Sequence, residues 1–259
     1  SRKTGCTRCL DLCPVGAIQP AGDHVAIDAM ICAGCGSCAA VCPTGAASYA
    51  LPPAEALMRR LRAMLLAYGE AGGRGAVVLV HEGEHGAPLL DALARFGEGL
   101  PARVIPFPVN EVTALGLEAV AAAFAFGAAE LRVLLGTRHR DDLAALERTL
   151  ALAEAVLGAW GFGPGRASLL AADDPETLAA ALAHLPERDG VATPRSFLPM
   201  GDKRGVMQTA LKELHKAAPA PVEVVALPAG APFGAVHVDV AGCTLCLACV
   251  SACPAGALS

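Results

Sequence analysis

Between residues 74 and 190, short apolar runs of five or six residues alternate with segments of helical period. The runs Ala76–Val80, Arg103–Phe107, Leu131–Leu135 and Ala167–Ala171 read as strands. Each is followed by a helical stretch: Pro88–Phe96, Thr113–Phe126, Asp141–Trp160 and Pro175–Leu185. The runs are continuously apolar, not alternating, which predicts a parallel sheet covered on both faces. Asp174-Pro175-Glu176 supplies the last helix with a cap and a proline at its first position. Pro52–Tyr68, with Arg59, Arg60 and Arg62 on its polar side, and Asp202–Lys216 read as amphipathic connector helices. A proline-rich stretch, Pro219–Pro232, leads to a predicted hairpin strand over residues 234–239.

Composition narrows the classes. The chain of 259 residues is 54% hydrophobic and 17% charged, which describes a packed fold. A net charge of -5 without a long basic run gives a nucleic-acid partner little support. The longest apolar stretch, Ala119 to Ala129, is closed off by Glu118 and Glu130 and falls short of the roughly 20 residues of a membrane span. We expect a cytoplasmic protein without a transmembrane helix. No initiator Met precedes Ser1-Arg2-Lys3, and a fragment of a longer polypeptide is expected.

The eleven cysteines carry the chemistry. They stand at 6, 9, 13, 32, 35, 38 and 42, then at 243, 246, 249 and 253, with none in the 200 residues between. Core cysteines would be scattered, and disulfide cysteines would not repeat their spacing. Cys32, Cys35, Cys38, Cys42 and Pro43 form a complete CxxCxxCxxxCP run, and Cys243, Cys246, Cys249, Cys253 and Pro254 form another. Two-residue gaps bring three thiolates to one face of a 4Fe-4S cubane, and Ala33, Gly34 and Gly36 allow close backbone approach. Zinc is the competing reading, but a tetrahedral zinc site has no use for a third and fourth cysteine at these spacings followed by proline.

Residues 5–48 resemble the bacterial two-cluster ferredoxins, on the evidence of these runs, Cys13-Pro-Val-Gly-Ala-Ile18 and the hairpin around Gly22-Asp23. The resemblance implies that the fourth cysteine of each run serves the other run's cluster. One cluster then takes Cys13, Cys32, Cys35 and Cys38, and a second takes Cys6, Cys9 and Cys42. That second set lacks a ligand, because Lys3 stands where the family places cysteine. Either the fourth ligand lies upstream of Ser1, the reading we favour, or the site holds a three-iron or incomplete cluster. Cys243, Cys246 and Cys249 would hold a third cluster, and Cys253 would serve the cluster of a further downstream motif. At least two clusters are expected, and three or four in an intact protein.

Residues 75–185 resemble the iron-sulfur delta subunit of methyl-viologen-reducing hydrogenase. The likeness rests on Val104-Ile-Pro-Phe-Pro-Val-Asn-Glu-Val112, Gly127–Gly136, Leu157-Gly-Ala-Trp-Gly-Phe162 and Asp173-Asp174-Pro175. Where that family has cysteines, this chain has His81, Asn110 and Thr137, which implies a domain that has lost its own cluster and kept its docking shape.

The remaining motifs are weaker. Gly72-Gly73-Arg74-Gly75 precedes its strand and Gly161–Gly165 joins a helix to a strand, so both read as turns and not as phosphate loops. His81-Glu-Gly-Glu-His85 matches HExxH but follows a strand directly, with Gly83, Gly86 and Pro88 around it, and reads as a solvated loop. Arg138-His139-Arg140 and Lys203-Arg204 read as solvated faces before steering patches. His24, His184, His215 and His237 stand alone, and no nucleophilic triad is visible.

The expected organisation is α/β: a two-cluster ferredoxin-like module at 1–52, a linker helix at 53–73, a flavodoxin-like parallel-sheet domain at 74–190, a helical and proline-rich connector at 191–233, and half of a second ferredoxin-like module at 234–259. The expected function is single-electron relay through 4Fe-4S clusters to or from a dehydrogenase or hydrogenase subunit, without catalysis by this chain. The alternative is a redox enzyme subunit whose α/β domain binds a flavin, nucleotide or small substrate.

Overall fold

A computed structural model of the chain describes residues 5–137, 142–234 and 237–253. Its first unit holds the short helix α1 (Arg8–Leu12), the antiparallel hairpin β1 (Ile18–Ala21) and β2 (His24–Ile27), and the short helix α2 (Ser37–Val41). Its buried side chains are few: Ala17, Ile18, Ser37, Ala40 and Ala47.

The central unit opens with α3 (Ala54–Glu70) and continues through β3 (Ala76–His81), α4 (Gly86–Phe96), β4 (Val104–Pro108), α5 (Leu117–Ala125), β5 (Ala128–Leu135), α6 (Ala144–Ala159), β6 (Ala167–Ala171) and α7 (Pro175–Ala183). The four strands form one parallel sheet in the order β4-β3-β5-β6, a flavodoxin-like winding. β3 and β5 are central and buried along their whole length. Pro106 and Pro108 lie on edge strand β4, where a missing N–H leaves no ladder bond unmade.

Strand alternation divides the core in two. Val78 and Val80 join Phe107, Leu131 and Val133 under α3, α5 and α6, whereas Val77 and Leu79 join Leu134 and Leu170 under α4 and α7. Every residue of α5 is buried. Its alanines let α3, α6 and α8 (Lys203–Ala217) approach closely, so α5 is covered on all sides. Asp174 caps α7 by accepting from the Thr177 N–H at 2.7 Å, with Pro175 at the first position as the sequence predicts.

Several local expectations change. The helix expected over Thr113–Phe126 is broken into a 3-10 turn at Val112–Ala114 and α5, because extended backbone at Gly116 separates them. The helices read as connectors are core elements: Met58, Leu61 and Leu65 of α3, and Val206, Met207, Ala210 and Leu214 of α8, are buried in the larger core. No strand forms over residues 237–239, and 235–236 lie outside the described residues. The last described element is the short helix α9 (Ala248–Ala252), in a segment, 237–253, without a buried residue. Among the described residues, no helix is long and apolar enough to cross a membrane.

Candidate metal centre

Three cysteine loops share one local geometry. In each, a short helix carries the third cysteine of the spacing, or its counterpart, and the next cysteine ends that helix in extended backbone: Cys13 at φ -69 ψ 109, Cys42 at φ -68 ψ 113 and Cys253 at φ -76 ψ 107. The residue before the middle cysteine is left-handed wherever a full run is described, as Gly34 (φ 77) and Leu245 (φ 55). So is the residue after it, as Gly36 (φ 75) and Leu247 (φ 58). Upstream, Asp28 Oδ1 accepts from the Met30 N–H at 2.9 Å and Asp239 Oδ1 accepts from the Ala241 N–H at 3.1 Å, so the same Asx turn leads into Cys32 and Cys243. Left-handed residues between cysteines turn successive backbone N–H groups toward one concavity, where they can donate to sulfur.

The sulfur atoms receive such donors. Ala17 N–H reaches Cys13 Sγ at 3.2 Å. Burial pushes the Cys42 thiol up, but backbone N–H groups of Ala47, Thr44 and Ala46 and the Thr44 hydroxyl outweigh it, and its pKa is lowered. The exposed Cys246 thiol is lowered by the Ala248 N–H and the Thr244 hydroxyl. Burial raises the Cys9 and Cys38 thiols, each pushed further by neighbouring sulfurs.

Those couplings locate the thiols. Cys9 feels Cys42 and Cys6, while Cys38 feels Cys35, Cys32 and, less, Cys9. Cys9 thus lies near Cys42 and Cys6, and Cys38 near Cys35 and Cys32. Cys13 lies at the end of α1. Cys243, Cys246 and Cys249 are exposed on the last loop. Among the described residues, no three Cys, His, Asp or Glu side chains converge on a single point as one metal ion requires. A four-iron cubane spreads its thiolates over separate corners, so neighbouring cysteines outside any disulfide, with an N–H donor aimed at sulfur, fit that group.

The central unit grips the second loop. The Thr113 hydroxyl donates to Cys35 O at 2.5 Å. A Cβ at Gly36 would collide with the Tyr49 ring and lie 2.6 Å from the Ala114 methyl. Lys203 Nζ donates to Ala39 O and, at 2.7 Å, to Ala40 O, closing the carboxyl end of α2. It also lies 3.4 Å from Glu118 Oε1. Burial raises the Glu118 carboxyl against the pull of Lys203. Tyr49 is pushed up to about 12, first by burial and then by Glu111 and the nearby cysteines. The Arg8 guanidinium donates to Ala231 O at 3.2 Å, tying the first loop to the proline-rich stretch.

Lys203, Thr113, Tyr49 and Glu118 do not stand out in the sequence. Lys203 reads there as part of a solvated pair, yet its side chain is 12% exposed. Arg138-His139-Arg140, Asp141, Pro254 and Lys3 lie outside the described residues. Of the other candidates, His81 ends β3 and His85 precedes α4, with Nε2 2.7 Å from Ala172 O, so the two do not sit one turn apart on a helix. Asn110 donates to Leu51 O at 3.3 Å, and the Thr137 N–H donates to Asp173 at 2.9 Å.

Residues 4–46 match the family model of a 4Fe-4S dicluster domain, and residues 236–259 match that of a 4Fe-4S binding domain. No curated protein and no solved structure matches the chain. The chain carries two 4Fe-4S ferredoxin-type domains around an α/β unit, binds at least two 4Fe-4S clusters, and has an iron-sulfur electron-transfer role.

Proposed function

We propose that this chain relays single electrons through its clusters to or from a partner oxidoreductase of dehydrogenase or hydrogenase type, and transforms no substrate itself. The observation that carries the reading is the repeated loop, with its left-handed pair, short helix and extended terminal cysteine, at both ends of the chain. A 4Fe-4S cluster supplies reversible one-electron chemistry when bound. We assign Cys13, Cys32, Cys35 and Cys38 to one cluster and Cys6, Cys9 and Cys42 to a second whose fourth ligand is not among these cysteines. We assign Cys243, Cys246 and Cys249 to a third, with Cys253 directed to another. The N–H groups at Cys42 and Cys246 stabilise thiolate over thiol and so favour ligation.

The hydrogenase-type partner rests on the resemblance of residues 75–185 to a hydrogenase delta subunit. We place the chain in the cytoplasm, whose reducing conditions keep eleven thiols available. Iron and sulfide analysis after anaerobic reconstitution, with an EPR redox titration, tests the reading. Cys35→Ser should remove one cluster signal and Cys246→Ser a different one. Intact signals in both would sink the assignment.

A second reading has one observation in its favour. A cavity of about 370 Å3 lies between the first unit and the central one, walled by Tyr49, Pro52, Asn110, Glu118 and Lys203, and its size suits a small ligand. A flavin absorption band after anaerobic purification would favour a ligand-binding redox enzyme; a spectrum of clusters alone favours the relay.

A further inference from the structure

A buried acid of the central unit is joined to the N-terminal cluster unit by a short path of polar contacts. Glu118 stands in the first turn of α5 with a side chain 8% exposed. Its carboxylate folds back over Gly116, where a Cβ would collide with both oxygens. Oε1 lies 3.4 Å from Lys203 Nζ, and Oε2 has no hydrogen-bond partner. Lys203 Nζ in turn holds Ala39 O and Ala40 O, the two carbonyls that follow Cys38. The path from acid to cysteine loop is therefore two polar contacts long.

Two cavities meet at this pair. The larger, of about 370 Å3, has room for several water molecules and contains Glu118 and Lys203 in its wall, with Glu55, Arg60, Glu111 and Asp202 as further charges. The smaller, of about 130 Å3, brings Glu118 and Lys203 together with Cys42, and adds Arg8 and Arg148. At contact distance, Glu118 faces the charge of Lys203.

We propose that Glu118 is a redox-linked proton site, taking up one proton when the N-terminal cluster unit gains an electron and releasing it on oxidation. The proposal rests on the relay reading. A cluster held by Cys38 and its fellow ligands would, on accepting an electron from a one-electron donor protein, add negative charge near the α2 carbonyls that already draw Lys203. The attraction of Lys203 for Glu118 is then shared with that new charge, and the like charge of the carboxylate becomes less favourable in a poorly solvated region. A solvent proton reaching Glu118 through the larger cavity forms one O–H bond and cancels the added charge. Oxidation reverses both steps, so electron and proton balance and no other bond changes. Burial that already raises the Glu118 carboxyl brings it closer to the pH at which this exchange operates.

The test is an EPR redox titration of the reconstituted full chain at several pH values, paired with a redox-difference infrared spectrum. One N-terminal midpoint potential should fall as pH rises, approaching about 59 mV for each tenfold change in proton concentration for a one-electron couple. A carboxylic C=O band should appear on reduction. In Glu118→Gln the same potential should be flat and the band absent. In Lys203→Met the sloping region should move to higher pH, because the cation that opposes protonation is gone. Flat potentials in the unmutated protein, or a slope and band that persist in Glu118→Gln, would overturn the proposal while leaving the relay intact. Should Glu118→Gln lose its clusters, the unmutated chain decides alone: slope and band together support the site, and either one missing overturns it. A chain that holds no cluster after reconstitution overturns the relay reading and this site with it.

Discussion

The hydroxyl of Thr113 donates to the carbonyl oxygen of Cys35 at 2.5 Å, joining a fully buried residue of the central unit to the middle cysteine of the second loop. Thr113→Val keeps shape but leaves that carbonyl without its donor. A loss of about 1 kcal/mol is expected, the low end for an orphaned acceptor, because this one is only part-buried. The deficit should be local. Hydrogen exchange over residues 32–38 should quicken while the strands of the sheet keep their protection; unchanged exchange there would mean the contact holds nothing.

Leu245 and Leu247 occupy the left-handed positions that Gly34 and Gly36 fill in the earlier loop. A side chain with a Cβ is disfavoured there by roughly 1–2 kcal/mol per residue. Leu245→Gly should therefore slow cluster loss from the C-terminal unit to a chelator, and Leu245→Val, β-branched, should hasten it. Gly36→Ala is predicted to act in the opposite sense to Leu245→Gly. It adds left-handed strain and drives a methyl into Tyr49 and Ala114, so the N-terminal unit should separate from the central one, read as new proteolytic cutting near residues 49–53.

Cluster removal should divide the chain by its sources of stability. The sheet and its helices bury two cores made of their own side chains. Residues 237–253 bury none, so metal ligation is what can hold them. After chelation, circular dichroism should keep most of its helical signal, while amide signals of residues 237–253 collapse to random-coil positions. Retained dispersion there would show that the loop is held by something other than its cluster.

What the sequence made legible follows burial and spacing. β3 and β6 lie where continuous apolar runs place them, since a strand covered on both faces leaves an unbroken signature. The Asx turns, left-handed pairs and short helices follow from cysteine spacing only in part, because leucine gives no hint that it will adopt positive φ. Glu118 and Glu130 read as polar ends of the apolar run Ala119 to Ala129. Both are buried, because α8 brings Lys203 to the first and β5 itself brings Arg132 to the second. Such partners are 85 residues away or on the same strand, and apolar periodicity registers neither. For the same reason α3 and α8 look like connectors: an amphipathic stripe shows that a face is buried and says nothing about what it meets.

Acid should weaken the cap of α7. Asp174 accepts from the Thr177 N–H and hydroxyl, each at 2.7 Å, and these bonds hold its carboxyl below the ordinary aspartate value. A depressed folded pKa means that the unfolded chain binds the proton first as pH falls. The stabilisation is therefore complete above the unfolded value and is lost as pH drops through the folded one. Asp174→Asn, which keeps an acceptor for Thr177, should flatten that acid limb of the stability curve, whereas Asp174→Ala should lower stability at neutral pH as well. Urea melts at a series of pH values distinguish the two.

The central strand β5 contains the sharpest test of coupling. Glu130 has a fully buried side chain, pairs with Arg132 two residues along the same face, and lies 3.6 Å from Arg188. Arg132 is 8% exposed and also donates to Ser168 Oγ at 2.6 Å and Gly165 O at 2.9 Å. Glu130→Leu removes the negative charge and strands a guanidinium in the sheet, so a loss of about 3–5 kcal/mol is expected. The double variant Glu130→Leu with Arg132→Met removes both charges together. It should recover most of that loss, since paired charges gain little over well-packed apolar groups once their desolvation is counted. Urea unfolding of the four members of the cycle measures the coupling. If the double variant were as unstable as the sum of its parts, Arg132 would be held chiefly by Ser168 and Gly165, and Glu130 by Arg188.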